Sequence, residues 1–172
     1  METAHHSDKS VRRTALAISM VSAFLTPFMA SSMNVAMPLI GKEFGLSAVT
    51  LGWVLTAYTL TAAMFLVPFG RLADLVGRKR IFALGLGLDI AGATIGALAP
   101  SAFLLILARA VQGVGGAMIF GTGVAILTSV YPPGVRGHAL GLNTAAVYTG
   151  LSLGPVLGGF IVHAWGWRSV FL

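Results

Sequence analysis

The chain has 172 residues, of which 56% are hydrophobic and only 9% charged, and its mean hydropathy is +0.89. A soluble domain carries about a quarter charged residues, so there is too little polar material here to cover a water-facing surface, and the composition points to an integral membrane protein. The formal charge of +6 does not indicate a nucleic-acid partner, because the basic residues sit between long apolar runs, where lipid headgroups and membrane orientation account for them.

Residues 1–13 read as a polar tail containing His5, His6, Lys9, Arg12 and Arg13, and residues 14–172 as an incomplete bundle of transmembrane helices. No charge appears across 15–40, which exceeds both the about 20 residues needed to cross a bilayer and the about 7–15 of a signal-peptide core. Pro27 removes a backbone donor within that run and predicts a kink. Further apolar runs cover 50–69, 81–99, 103–129 and 139–164. They are too long and too evenly apolar for strands, and lipid offers no partner for open strand edges. The fold class is therefore all-α, with five transmembrane helices and a sixth expected to begin at Ser169–Leu172.

In an alternating bundle one side carries Lys9, Arg12, Arg13, Arg71, Arg78, Lys79, Arg80 and Arg136, and the other only Lys42 and Arg168. This asymmetry predicts a cytoplasmic N-terminus and a cytoplasmic 71–80 connection in a plasma or inner membrane.

The connection after the second helix contains Gly70, Asp74, Gly77, Arg78, Lys79 and Arg80, two glycines and one acid among the bases. A merely solvated positive loop needs the bases but neither the acid nor the glycine spacing. This run resembles the loop between helices 2 and 3 of the major facilitator superfamily. Arg109, Gln112, Gly113 and Gly116 in the fourth helix are similar to the family's Arg followed by Gln-Gly. In the fifth, Gly150, Gly154, Pro155, Gly158 and Gly159 resemble the motif of its drug/proton antiporters. Asn34 and Pro38 look like the end of a helix-1 motif of its 14-helix drug exporters, although that motif usually opens with an acid where this chain has Met29.

Asp89 and Arg109 are the charged residues inside the apolar runs. An embedded charge costs at least about 2.5–3.5 kcal/mol on insertion scales and is a candidate transport group by default. By depth, the long Arg109 side chain could bridge to Asp89, and a neutralising pair of this kind is the rival to a role in transport. Arg109, Gln112, Gly113, Gly116, Phe120 and Gly123 share one helix face, suited to a cavity wall or a close helix crossing. Gly150, Gly154 and Gly158 align on another, beside Pro155, so Gly154→Leu is expected to harm assembly more than Gly96→Leu.

Nothing in the residues points to an enzyme. Gly113-Val114-Gly115 lies in an apolar helix with no preceding strand, the four histidines have no metal-ligand spacing, and cysteine is absent. The expected cofactors are none, with the proton as coupling ion. The resemblance implies the N-terminal part of a proton-coupled exporter of drugs or other small molecules, with Arg109, Gln112 and Asp89 as transport and coupling residues. Its partners are membrane lipid, a small-molecule substrate and the missing C-terminal half. The rivals are a facilitator of a sugar or metabolite and a truncated, non-transporting membrane interaction protein.

Overall fold

The computed structural model describes residues 2–171, with side chains from Ser10 onward. Five helices follow one another: α1 Glu2–Phe44, α2 Ala48–Val76, α3 Arg78–Ala97, α4 Ala102–Val130 and α5 Pro133–Trp165. A 3-10 turn, Trp167–Phe171, stands where a sixth helix is expected to begin, and Leu172 lies outside the described residues. Each of the five is long and apolar enough to cross a membrane. Helix α1 runs back into the polar tail, so the uncharged stretch marks its lipid-facing length rather than its start.

Short local devices set the ends. Ser47 accepts a hydrogen bond from the Thr50 amide at the start of α2, and Ser101 does the same for Leu104 at α4. Pro133 opens α5, where its missing N–H would have had no helical partner. Gly77 alone joins α2 to α3, at φ +113°, a conformation that side-chain-bearing residues rarely adopt.

The principal interfaces are α1 with α5, α3 with α4, and α2 with α4. Glycines allow all three to close. A Cβ on Gly154 would come 2.9 Å from the Phe28 carbonyl oxygen, and one on Gly158 2.9 Å from the Ser32 Cα, so α5 lies directly on α1. Ser32 donates across this contact to the Gly154 carbonyl at 3.0 Å. In α3, Gly85 faces the Met118 Cβ and Gly92 the Ala108 carbonyl of α4 at 2.7 and 2.9 Å. Small residues bring backbones close enough for dispersion to hold helices together in lipid, where no hydrophobic force does so. Much of the remaining surface is apolar: Ile90 is 64% exposed and Phe160 66%.

At the end of the bundle opposite Arg78, Glu43 of α1 holds the 3-10 turn. It accepts from the Trp167 indole at 2.6 Å and forms a two-oxygen ion pair with Arg168, at 2.7 and 3.1 Å. Arg168 also donates to the Ala99 carbonyl beyond α3. Phe171 is thereby pressed against Gly96, whose added Cβ would meet the ring at 2.7 Å.

Candidate functional site

Arg109 is 1% exposed, the largest side chain in the fully buried set. Helix α4 delivers it into the crossing with α2, which closes because Gly113 and Gly116 carry no side chain. A Cβ on Gly113 would meet the Tyr58 carbonyl and the Thr61 hydroxyl, and one on Gly116 would lie 2.7 Å from the Tyr58 hydroxyl. Of the two uses open to this face, a close helix crossing is the one adopted.

The guanidinium is held by neutral groups. Its Nε donates to the Val54 carbonyl at 3.3 Å, Nη1 donates to Gln112 Oε1 at 2.9 Å, and the Tyr58 ring lies beneath it, 4.5 Å from centroid to Cζ. A desolvated cation over an aromatic face gains about 2 kcal/mol, and each hydrogen bond from a charged donor about 1.5–3 kcal/mol. Together these offset an embedded charge without any acid. Gln112, itself fully buried, turns its amide Nε2 to the Met29 sulfur at 3.2 Å. Met29 occupies the place where the helix-1 motif usually has its acid, so Gln112 meets a weak sulfur acceptor there.

The bridge from Arg109 to Asp89 that their depths allow is not made: among the described residues no ion pair joins them. The backbone of Asp89 abuts Gly115 of α4. Asp89 lines a cavity of about 520 Å³ that Met29 and Ser32 also line, between α1, α3, α5 and the 3-10 turn. Of the three proposed coupling residues, Arg109 and Gln112 touch, and Asp89 has no ion pair or hydrogen bond with either.

At the basic end, Asp74 receives Arg78 through Nε and Nη2, at 3.0 and 2.9 Å. Arg78 Nη1 donates to the Ala125 carbonyl of α4 at 2.8 Å, so the motif ties the α2–α3 junction to α4. Gly70 faces Gly121 across the same crossing. Lys79 and Arg80 line a cleft of about 720 Å³ beside this junction with Asp74. Gly150, Gly154 and Gly158 lie on α1, Pro155 continues the helix beside them, and Gly159 makes ordinary contact with Val35. Asn34 and Pro38 are exposed on α1, where Asn34 bonds only to the Ala30 carbonyl of its own helix.

Sequence reasoning missed Tyr58 and Thr61. Thr61 lies 2.9 Å from the Ala110 carbonyl and pins α2 to α4 one turn from Arg109. The available signal was an aromatic and a hydroxyl three residues apart in an otherwise apolar run, one helix face opposite the α4 glycines.

Five membrane-length helices, tied together by small-residue crossings around an embedded cation, define a multi-pass membrane protein. The chain belongs to the Major Facilitator Superfamily, which matches residues 19–172. Members of that superfamily are transporters rather than enzymes. It is 39% identical over 139 residues to the multidrug resistance protein Stp of Mycobacterium tuberculosis, covering 80% of this chain and 26% of that protein. To the riboflavin transporter RibZ of Clostridioides difficile it is 32% identical over 157 residues, covering 91% of this chain and 34% of that one. The chain therefore spans about a quarter to a third of these curated relatives. In fold it matches a bacterial homolog of the human lysosomal transporter Spinster, solved in an inward-facing and unoccupied conformation. The TM-score is 0.81 at 24% identity, over 94% of this chain and 39% of that one.

Proposed function

We propose that the chain forms the N-terminal bundle of an alternating-access transporter that exports drugs or other small molecules in exchange for protons. A second half, supplied by the rest of such a protein, rocks against this one about a shared site. The observation that carries the reading is Arg109, a cation buried at a helix crossing with neutral partners only. An acid or substrate anion arriving from the second half finds there a cation with no ion-pair partner among the described residues, and its departure leaves the charge still held by Tyr58, Val54 and Gln112. Arg109 and Gln112 form the coupling pair, and Asp74 with Arg78 fixes the geometry of the cytoplasmic end.

The basic asymmetry supports a cytoplasmic N-terminus in the plasma or inner membrane. Membrane lipid, the small-molecule substrate and the C-terminal half are the partners, with no nucleic acid and no cofactor beyond the coupling proton. The relative named as a multidrug resistance protein supports drug export. A second reading, transport of a metabolite, is favoured by the relative named as a riboflavin transporter and by Met29 in place of an acid.

Cells expressing the complete protein test the two. Export requires lower accumulation of a fluorescent drug, reversed by a protonophore. Higher uptake of a flavin, with unchanged drug accumulation, would establish the second reading instead.

A further inference from the structure

Hydroxyls on membrane helices commonly bond back to a carbonyl one turn earlier in their own helix. Thr61, Thr94, Thr122 and Thr149 all do so, to Ala57, Ile90, Met118 and Ala145. Helix α1 departs from that habit. Ser19, Ser22 and Thr26 share one of its faces and make no hydrogen bond among the described residues, although Ser19 is only 6% exposed and Ser22 8%. On α5, Asn143 Oδ1 is buried and likewise has no partner. A buried polar atom left unpaired costs about 1–3 kcal/mol, so a cluster of them marks a place where a ligand completes the bonding.

Ser19, Ser22 and Asn143 meet at one cavity of about 20 Å³, lined otherwise by apolar groups such as Phe82 of α3 and Phe120 of α4. A single water needs about 10–15 Å³ and two to four polar partners. The volume fits one water, and the two hydroxyls and the amide supply three partners. A cation is a poorer occupant, because no acid lines the cavity. The seam between α1 and α5 changes character at this level. Gly150, Gly154 and Gly158 lie directly on α1, whereas Asn143, two turns before Gly150 on the same face, puts an amide where they have no side chain.

We propose that Ser19, Ser22 and Asn143 bind one ordered water molecule between α1, α4 and α5, and that this water passes the coupling proton between Thr26 and the end of the bundle that carries Arg78. The proton role rests on the export reading; the water site does not. Ser22 stands about 10 Å along α1 from Met29, the residue that Gln112 touches, and Thr26 lies within that interval. A proton arriving from the side of Thr26 turns the water into hydronium. A different proton then leaves towards the Arg78 end, which restores the water and changes no bond of the protein. Asn143 Oδ1 accepts from the water and so orients it without taking up the proton.

Radiolytic labelling of the complete protein tests the water site. A brief X-ray pulse generates hydroxyl radicals from bound water, and these oxidise adjacent side chains even where bulk water is excluded. Phe82, 7% exposed, is the reporter. Its oxidation should be about threefold to tenfold weaker in Asn143→Leu than in the wild type, in line with the loss of one hydrogen bond. Asn143→Ser, which restores a polar group, should recover it in part. Ser22→Ala makes the same comparison without added bulk if Asn143→Leu does not fold. In proteoliposomes loaded with ethidium, Asn143→Leu should slow movement driven by a pH gradient but spare ethidium counterflow, which moves no net proton. Phe82 oxidation unchanged in Asn143→Leu and Ser22→Ala overturns the water site. Oxidation that falls when sodium replaces choline assigns the cavity to a cation and overturns it too. Undiminished gradient-driven movement in Asn143→Leu, or equal loss of movement and counterflow, overturns the proton role. A wild type that moves no ethidium under the gradient sinks the export reading and the proton role with it, while the labelling still decides the water site.

Discussion

Arg109 carries a charge into a helix crossing where every group in contact with it is neutral: the Val54 carbonyl, the Gln112 amide and the Tyr58 ring. The ring's contribution can be separated from that of its hydroxyl, which is buried without a hydrogen-bond partner. Tyr58→Phe keeps the π face and should leave thermal stability in detergent near wild type. Tyr58→Leu removes about 1–2 kcal/mol of cation–π attraction and should lower the melting temperature clearly. Equal melting temperatures for the two variants would show that the ring does not hold the guanidinium. The sequence made Arg109 and Gln112 visible, because an embedded charge and a helical period of three are both one-dimensional signals. Tyr58 was hidden because its meeting with Arg109 depends on how α2 and α4 cross. Asp89 was visible too, but matching depth alone does not decide whether it meets Arg109, and no ion pair joins the two among the described residues.

At the level of elements, glycine spacing in the sequence announced the α1–α5 contact, and the structure supplies its partner atoms. Gly154→Leu drives a side chain into Phe28 and Ser31, and overpacking of this kind costs about 1–3 kcal/mol. The expectation that Gly154→Leu does more harm than Gly96→Leu loses its premise, because Phe171 fills the space above Gly96. Gly87 has nothing within 4 Å and is the appropriate control. Protease resistance in detergent should fall for Gly154→Leu and Gly96→Leu but not for Gly87→Leu, and equal loss at all three would dismiss specific packing. The junction of α2 and α3 makes a separate demand. Gly77→Ala places a Cβ on a residue at φ +113°, where left-handed backbone costs about 1–2 kcal/mol. Thermal melting should fall accordingly, and an unchanged melting temperature would show that the junction relaxes freely. The 3-10 turn at Trp167–Phe171 was not legible as such, since so short a segment does not distinguish the first turn of a helix from a tighter one.

For the whole molecule, five spans followed from hydropathy alone, because lipid forces every backbone group to pair within its own helix. The packing order did not, since an apolar helix shows little difference between its lipid-facing and helix-facing sides. Orientation can be read directly with single cysteines at Ser10 and Ala48, both exposed and at opposite ends of α1 and its following loop. An impermeant thiol reagent on intact cells should label Ala48→Cys and spare Ser10→Cys, and the reverse pattern would invert the topology. The central claim, that Arg109 couples protons rather than neutralising Asp89, is tested most directly in proteoliposomes of the complete protein under an imposed pH gradient. Arg109→Gln and Arg109→Lys should both abolish gradient-driven substrate movement with the protein folded, because lysine keeps the charge but lacks the planar fork that reaches Val54 and Gln112 together. Adding Asp89→Asn to Arg109→Gln should restore nothing, since no ion pair joins the two residues. Full gradient-driven transport in Arg109→Gln, or its recovery in the double variant, would contradict the account.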